Sequence, residues 1–236
     1  MSAIHCQQLC VNYGKTRVVN NVDLNIMPGE CFGLAGENGA GKSTLIKAML
    51  DLIAIKSGQC EFFSMPSRKV KSRHRVAFLP DRFVPPYYLK AGDFLQYMAA
   101  LQGRAFNQAD AQAMLQTLDL NVSALNKSVR ELSKGMTQKI GLAACFLSQR
   151  DILILDEPMS GLDPKARDRV KQQIMELKHQ GKTIFFSSHM LADVEELADR
   201  MAVLHQGEIR FTGSPAMFKQ QFNATSMEAA YLTCIS

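Results

Sequence analysis

The chain has 236 residues, 47% of them hydrophobic, with 27 basic residues against 22 acidic ones. That suits one large domain, or a core with an inserted subdomain. A net charge of +5 admits an anionic ligand or a membrane surface but demands neither, and no nucleic-acid partner is expected. Six cysteines without a CxxC pair argue against a zinc site and for small buried hydrophobes in a reducing compartment. No signal peptide is expected, and no apolar run approaches the ~20 residues that span a bilayer. Any membrane role is therefore expected to come through a partner.

In chain order, "AIHCQQLCVNYGKTRVVNNVDLNI" reads as two strands around a turn at Tyr13, Gly14 and Lys15, adding an antiparallel sheet. The runs "CFGLA" (31–35), "VAFL" (76–79), "ILIL" (152–155), "TIFFS" (183–187) and "MAVL" (201–204) are too short for helices and do not alternate. They read as strands buried on both faces, as in a parallel sheet. Between 164 and 180, Val170, Ile174 and Leu177 recur at helical spacing. Strand–helix alternation of this kind implies an α/β core. Residues 87–149 carry helical patterns and no clear strand. Phe94, Met98 and Leu101 are expected on one apolar face, and Met114 and Leu118 on another. The chain is read as one domain, with its core in 1–86 and 150–236 and a helical subdomain at about 87–149.

After the first buried strand, Gly36-Glu37-Asn38-Gly39-Ala40-Gly41-Lys42-Ser43-Thr44 fits the phosphate-loop pattern G-x-x-x-x-G-K-[ST], and "TLIKAML" follows as a helix. Glycines let backbone N–H groups wrap a phosphate, and the helix aims its positive end at the same anion. Lys42 is expected to reach the β- and γ-phosphates, Ser43 to ligate Mg²⁺, and Thr44 to contact the α-phosphate side.

Farther on, "ELSKGMTQK" starts a helix that Ser133 caps and Gly135 leaves nearly bare, with no acid, base or nucleophile on it. "ILILDEP" puts Asp156 and Glu157 at the carboxyl end of a buried strand, where ligands of parallel sheets bind. Two adjacent carboxylates there need a cation to offset them. Asp156 suits the metal's surroundings and Glu157 suits polarising an attacking water. In "SGLDPKAR", Asp163 is an N-cap and Pro164 a first-turn proline. His189 closes the strand of "TIFFSSHM" on the same sheet edge and becomes a candidate γ-phosphate contact.

Together these residues resemble the ATP-binding subunit of an ABC transporter, over nearly the whole chain and in the family's motif order. The resemblance implies a P-loop NTPase core with a mainly parallel sheet, an N-terminal antiparallel β subdomain and an inserted α-helical subdomain. It assigns Tyr13 to adenine stacking and Gly36 to Thr44 to ATP. Asp156 becomes the metal-associated aspartate and Glu157 the catalytic glutamate. His189 becomes the switch histidine, acting with Lys42. Ser160, Gly161, Leu162 and Asp163 resemble the D-loop. Leu132, Ser133, Lys134, Gly135 and Met136 resemble the signature LSGGQ, used across a dimer interface. ATP and Mg²⁺ are the implied ligands. A homodimer or heterodimer of such subunits, with separate transmembrane permease subunits, is the implied assembly, at the cytoplasmic face of the membrane.

Three departures stand out. Lys134 and Met136 replace a glycine and a glutamine of the signature. Asp81 stands where the family has a glutamine near Mg²⁺, so it either takes part, directly or through water, or leaves the metal to other groups. Glu37, where proline is common, is expected to matter little. The stiff loop "RFVPPYYLKAGDF" (82–94) either packs into the helical subdomain or forms the groove for a permease helix. "LSKGM" and "FLPD" resemble ATP-binding subunits that pair with ABC-2 type permeases and point to export. The alternative is a soluble ABC-type ATPase with a non-transport role such as cluster assembly.

Overall fold

In the computed structural model, which describes residues 1–236, the chain opens as the hairpin β1 (Ile4–Tyr13) and β2 (Thr16–Ile26). Gly14, at φ +59°, sits in the two-residue connection, where a left-handed backbone suits glycine. β4 (Ser57–Phe62) and β5 (Met65–Pro66) extend this sheet in the order β2-β1-β4-β5. β4 escapes the sequence patterns because only Cys60 and Phe62 of its residues are buried.

The second sheet combines β3 (Cys31–Ala35), β6 (Val76–Leu79), β7 (Ile152–Asp156), β8 (Thr183–Ser188), β9 (Arg200–His205) and β10 (Glu208–Gly213). Its order is β10-β9-β3-β8-β7-β6. All neighbours run parallel except β10, which pairs antiparallel with β9. β6 corrects one expectation: as an edge strand it buries Ala77 and Leu79 but only half-buries Val76 and Phe78.

The alternation of side chains along a strand divides the core between the two faces of this sheet. Cys31, Leu153, Leu155, Ile184, Phe186 and Val203 join one cluster with the helices. Phe32, Leu34, Ile152, Ile154, Phe185 and Leu204 join the other, against the antiparallel sheet and α1 (Lys42–Met49). A short α2 (Val70–Arg73) precedes β6.

Between β6 and β7 lie α3 (Ala91–Leu101), α4 (Gln108–Thr117), two 3₁₀ turns and α5 (Lys134–Phe146), with no strand. Phe94 of α3 and Leu115 of α4 belong to the same apolar cluster as Leu153 and Leu155 of β7. Gly141 of α5 is what allows close approach to the sheet, since a Cβ there would lie 2.7 Å from Leu79 and Phe83. Leu101 departs from its expected face: at the last turn of α3 it is 64% exposed. The loop 82–94 divides. Phe83 packs edge-on against Phe94 at 5.6 Å, whereas Tyr87 and Tyr88 remain exposed and pack edge-on against each other. The chain ends through α6 (Pro164–His179), α7 (Leu191–Leu197), α8 (Pro215–Gln221) and α9 (Met227–Ile235), interleaved with β8, β9 and β10. No helix is long and apolar enough to cross a membrane.

Candidate phosphate site

The loop between β3 and α1 is shaped by its glycines. A Cβ on Gly36 would lie 2.5 Å from the Leu204 carbonyl oxygen, so only glycine fits beneath β9. Gly41, at φ +108°, caps α1 and would otherwise meet the Val18 carbonyl. No side chain caps this N-terminus and no acid lies in its first turn. The donors and the positive end of the helix therefore face the cleft unopposed.

That cleft holds about 460 Å³ and is lined almost wholly by polar residues. Glu37, Asn38, Gly39, Gly41, Lys42, Ser43 and Thr44 line it together with Asp81, Arg82, Glu157, Ser160 and His189. Gly36 and Ala40 lie buried beneath. Lys42 is itself buried, its Nζ donating to the carbonyls of Gly36 (2.7 Å) and Glu37 (3.2 Å) and sitting 3.3 Å from Glu157 Oε1.

Glu157 follows β7 with φ +49°, a left-handed conformation that non-glycine residues rarely adopt. Its N–H donates to Ser187 Oγ at 2.9 Å, and Ser187 Oγ donates to Asp156 Oδ1 at 2.5 Å. Glu157 Oε2 lies 2.8 Å from His189 Nδ1. Its other oxygen, Oε1, is buried and makes no aligned hydrogen bond despite the nearby lysine. This oxygen is thus held by charge from Lys42 and keeps hydrogen-bond acceptor capacity.

Burial raises the Asp156 carboxyl above the ordinary carboxylate range; hydrogen bonds from Ser187 and Ser43 pull it down, and the charges of Asp81 and Glu157 push it up again. Desolvation is the larger cause and the two neighbouring carboxylates add to it. Ser43, Asp156 and Asp81 supply oxygen donors only, which suits Mg²⁺. No group of three or more acidic, histidine or cysteine side chains forms a metal cage. The residues therefore fit an ion that keeps its waters and arrives with phosphates, rather than one held by protein alone.

The remaining sequence-predicted residues lie around this centre. Tyr13 is half exposed at the hairpin end and does not line the cleft, whereas Val18 of β2 does. Ser160, Gly161 and Leu162 continue from Glu157 into a second cavity of about 180 Å³, walled also by His189 and Arg167. Asp163 caps α6, accepting from the Ala166 N–H at 2.9 Å. Ser133 caps α5, accepting from the Met136 N–H at 3.2 Å. Ser133 and Lys134 are exposed, Leu132, Gly135 and Met136 are half-buried, and none of the five lines the cleft. A Cβ on Gly135 would lie 3.2 Å from the Gly161 carbonyl, so the two loops touch within one chain. Gln138 of α5 donates to the Pro158 carbonyl at 3.1 Å, a further tie between that helix and the loop after β7.

Sequence reasoning missed Val18, Arg82, Ser187, His205 and Tyr231. Ser187 had a partial signal, since it lies near the end of an apolar strand, and the structure pairs that strand with β7. His205 lies 3.3 Å from Glu37 Oε1, and Tyr231 accepts the Glu37 N–H at 3.1 Å. Neither of these contacts had a local signal.

Comparison with known proteins agrees with this geometry. The family description "ABC transporter" matches residues 19–160. An uncharacterised ABC transporter ATP-binding protein of Synechocystis is 40% identical over 86% of this chain and 58% of its own length. The bacitracin transport ATP-binding protein of Enterococcus faecalis is 34% identical over 87% of this chain and 67% of its own. The Nod factor export ATP-binding protein I of Paraburkholderia xenovorans is 33% identical over 91% and 72%. This chain thus spans little more than half the length of some relatives. A solved ATP-binding subunit of an ABC transporter superposes with TM-score 0.90 at 27% identity, covering 99% of both chains. The chain belongs to the ABC transporter family.

Proposed function

We propose that this chain binds ATP with Mg²⁺ in the cleft, hydrolyses it and powers an exporter. The observation that carries the reading is Glu157, ion-paired with Lys42 through one oxygen and held at the other by His189, in the same cleft as a bare helix N-terminus. Lys42 exchanges its carbonyl partners for the β- and γ-phosphates. Glu157 Oε1 takes a hydrogen bond from the attacking water, and His189 holds the carboxylate from its other oxygen while facing the γ-phosphate. The strained backbone at Glu157 fixes this direction. Ser43 and Asp156, with Asp81 nearby, would hold Mg²⁺, which would neutralise phosphate charge when bound.

The exposed start of α5 is the second half of the site. In a head-to-tail pair, Ser133 and Gly135 of one copy approach the γ-phosphate on the other copy's Lys42. Glu157→Gln tests this directly. It is expected to bind Mg-ATP, turn it over very slowly and accumulate as a closed dimer. A variant that stays monomeric at saturating Mg-ATP overturns the homodimer reading.

Transport rests on the exposed apolar residues beside this half. Val84, Tyr87, Tyr88, Tyr97 and Leu101 are more than half exposed around α3 and its preceding loop. We assign them to docking a permease subunit at the cytoplasmic face of the membrane. Purification of the full chain from native membranes should yield a complex with a polytopic protein, lost on Tyr87→Ala/Tyr88→Ala. Purely soluble partners would favour the non-transport ATPase instead. The name of the bacitracin relative supports a transport role, and that of the Nod factor relative an export role.

A further inference from the structure

Glu37 does not cradle phosphate, and its sequence gives it little weight. Its environment says otherwise. Its N–H donates to the Tyr231 hydroxyl at 3.1 Å, across 194 residues of sequence. Its carbonyl accepts from the Ala40 N–H and from Lys42 Nζ, both at 3.2 Å. Its carboxylate, though largely in solvent, lies 3.3 Å from His205 Nδ1. The first variable peptide of the phosphate loop is thus held from outside the loop.

The holder is well anchored. Ser226 caps α9, and Met227 and Ala230 are fully buried in the main core. α9 packs on α8, on β10 and on α7, the helix that starts just after His189. Burial raises the Tyr231 phenol above its ordinary range, so the hydroxyl keeps its proton near neutral pH.

We propose that Tyr231 is a positioning residue for the phosphate loop, tying nucleotide affinity to the docking of α9. The inference rests on the nucleotide reading of the cleft. When Lys42 moves onto the phosphates, the Gly36 and Glu37 carbonyls lose their charged partner. The Tyr231 hydroxyl then becomes the side-chain contact that still fixes the Glu37 peptide. By linkage, nucleotide binding must hold α9 down as much as α9 holds the loop.

Tyr231→Phe removes only the hydroxyl. Without the hydroxyl the Glu37 peptide of the free loop is released, and the cost of re-ordering it on binding, at most one neutral hydrogen bond, is expected to weaken Mg-ADP and Mg-ATP binding up to about tenfold. kcat at saturation should stay within about twofold, because the hydroxyl touches residue 37 and not the reacting atoms. In parent protein, Mg-ADP should slow amide exchange of α9, and in Tyr231→Phe this protection should shrink. Glu37→Pro deletes the donated N–H from the other side. In that background Tyr231→Phe should have no further effect on affinity.

Unchanged Mg-ADP affinity in Tyr231→Phe overturns the proposal. So does an equal loss in the parent and in the Glu37→Pro background. Tyr231→Ala, which also strips the ring, separates fold from positioning. If Tyr231→Phe lowers Tm as much as Tyr231→Ala does, the hydroxyl acts only through stability and the proposal is wrong. If the parent chain binds no Mg-ATP, the underlying nucleotide reading fails instead, a distinct result.

Discussion

The cleft around Lys42 and the start of α5 are both helix N-termini, yet they are built in opposite ways. At the first, the helix has no side-chain cap, and the groups around it are buried and paired: Lys42 to two carbonyls and Glu157, Glu157 to His189, Asp156 to Ser187. At the second, Ser133 caps the helix and, with Lys134, is exposed to solvent. The first arrangement holds charge at close range, with Lys42 and Asp156 themselves buried, where each interaction is stronger than at the surface. The second keeps its donors solvated until something covers them. On this comparison, damage to the first region should show in an isolated subunit, and damage to the second only when two subunits meet.

The largest effect is expected from Glu157→Gln. Losing the general base should lower kcat by about 10²–10⁴-fold. Single-turnover hydrolysis measures it, and a kcat within threefold of the parent would remove Glu157 from the chemistry. Next comes Lys42→Ala. It takes away charge-assisted hydrogen bonds to phosphate and leaves Glu157 beside no cation. Mg-ATP affinity should drop about a hundredfold, read by calorimetry on the monomer. Unchanged affinity would undo the phosphate-loop assignment.

Gly135→Asp then probes the open region. A carboxylate in the first turn of α5 suits the helix dipole, so folding should survive, although the Gly161 carbonyl contact must yield slightly. Monomer affinity for Mg-ATP should match the parent, while dimer formation and turnover should fall more than tenfold, since like charges would face each other in the closed pair. If the monomer loses affinity too, the two regions are not separable and the comparison breaks.

How far each region could be read from the sequence follows from how local its causes are. The phosphate loop, the strand carrying Asp156 and the caps at Ser133 and Asp163 rest on neighbours within a few positions. The chain's order of apolar and turn residues therefore announces them. Their partners are held by tertiary contacts: Ser187 reaches Asp156 because β8 lies beside β7, and Tyr231 reaches Glu37 because α9 returns to the sheet edge. The contacts of Glu37 escape the sequence for that reason, since they lie at His205 and Tyr231. β4 is hard to read because its polar, one-sided pattern resembles a loop. Leu101 belongs inside by helical spacing, but spacing alone does not say where a helix outlasts its partner. Tyr13 is exposed at the hairpin end and outside the cleft wall, so its adenine role rests on resemblance alone.

The smallest effect expected is also the one most particular to this chain. Lys134 stands at the first helical position of α5, and its stem lies over Gly161, whose added Cβ would be 3.4 Å from Lys134 Cε. Gly161 has φ +72°, so the lysine packs on a backbone that a side chain would strain. Two effects oppose each other in Lys134→Gly. Glycine weakens the helix start by up to about 1 kcal/mol, less at its first turn than inside. Removing a positive charge from a positive helix end gives back a few tenths. Folding stability should therefore shift little. What should change is the field near the other copy's γ-phosphate. A screened charge of this kind is worth about 0.3–1 kcal/mol, so ATP-driven dimerisation should weaken about two- to fivefold at low salt. Raising the salt should erase most of the difference between variant and parent. A difference that persists at high salt would mean that Lys134 acts by packing on Gly161, linking the two loops within one subunit. No difference at any salt would mean that the charge only faces solvent.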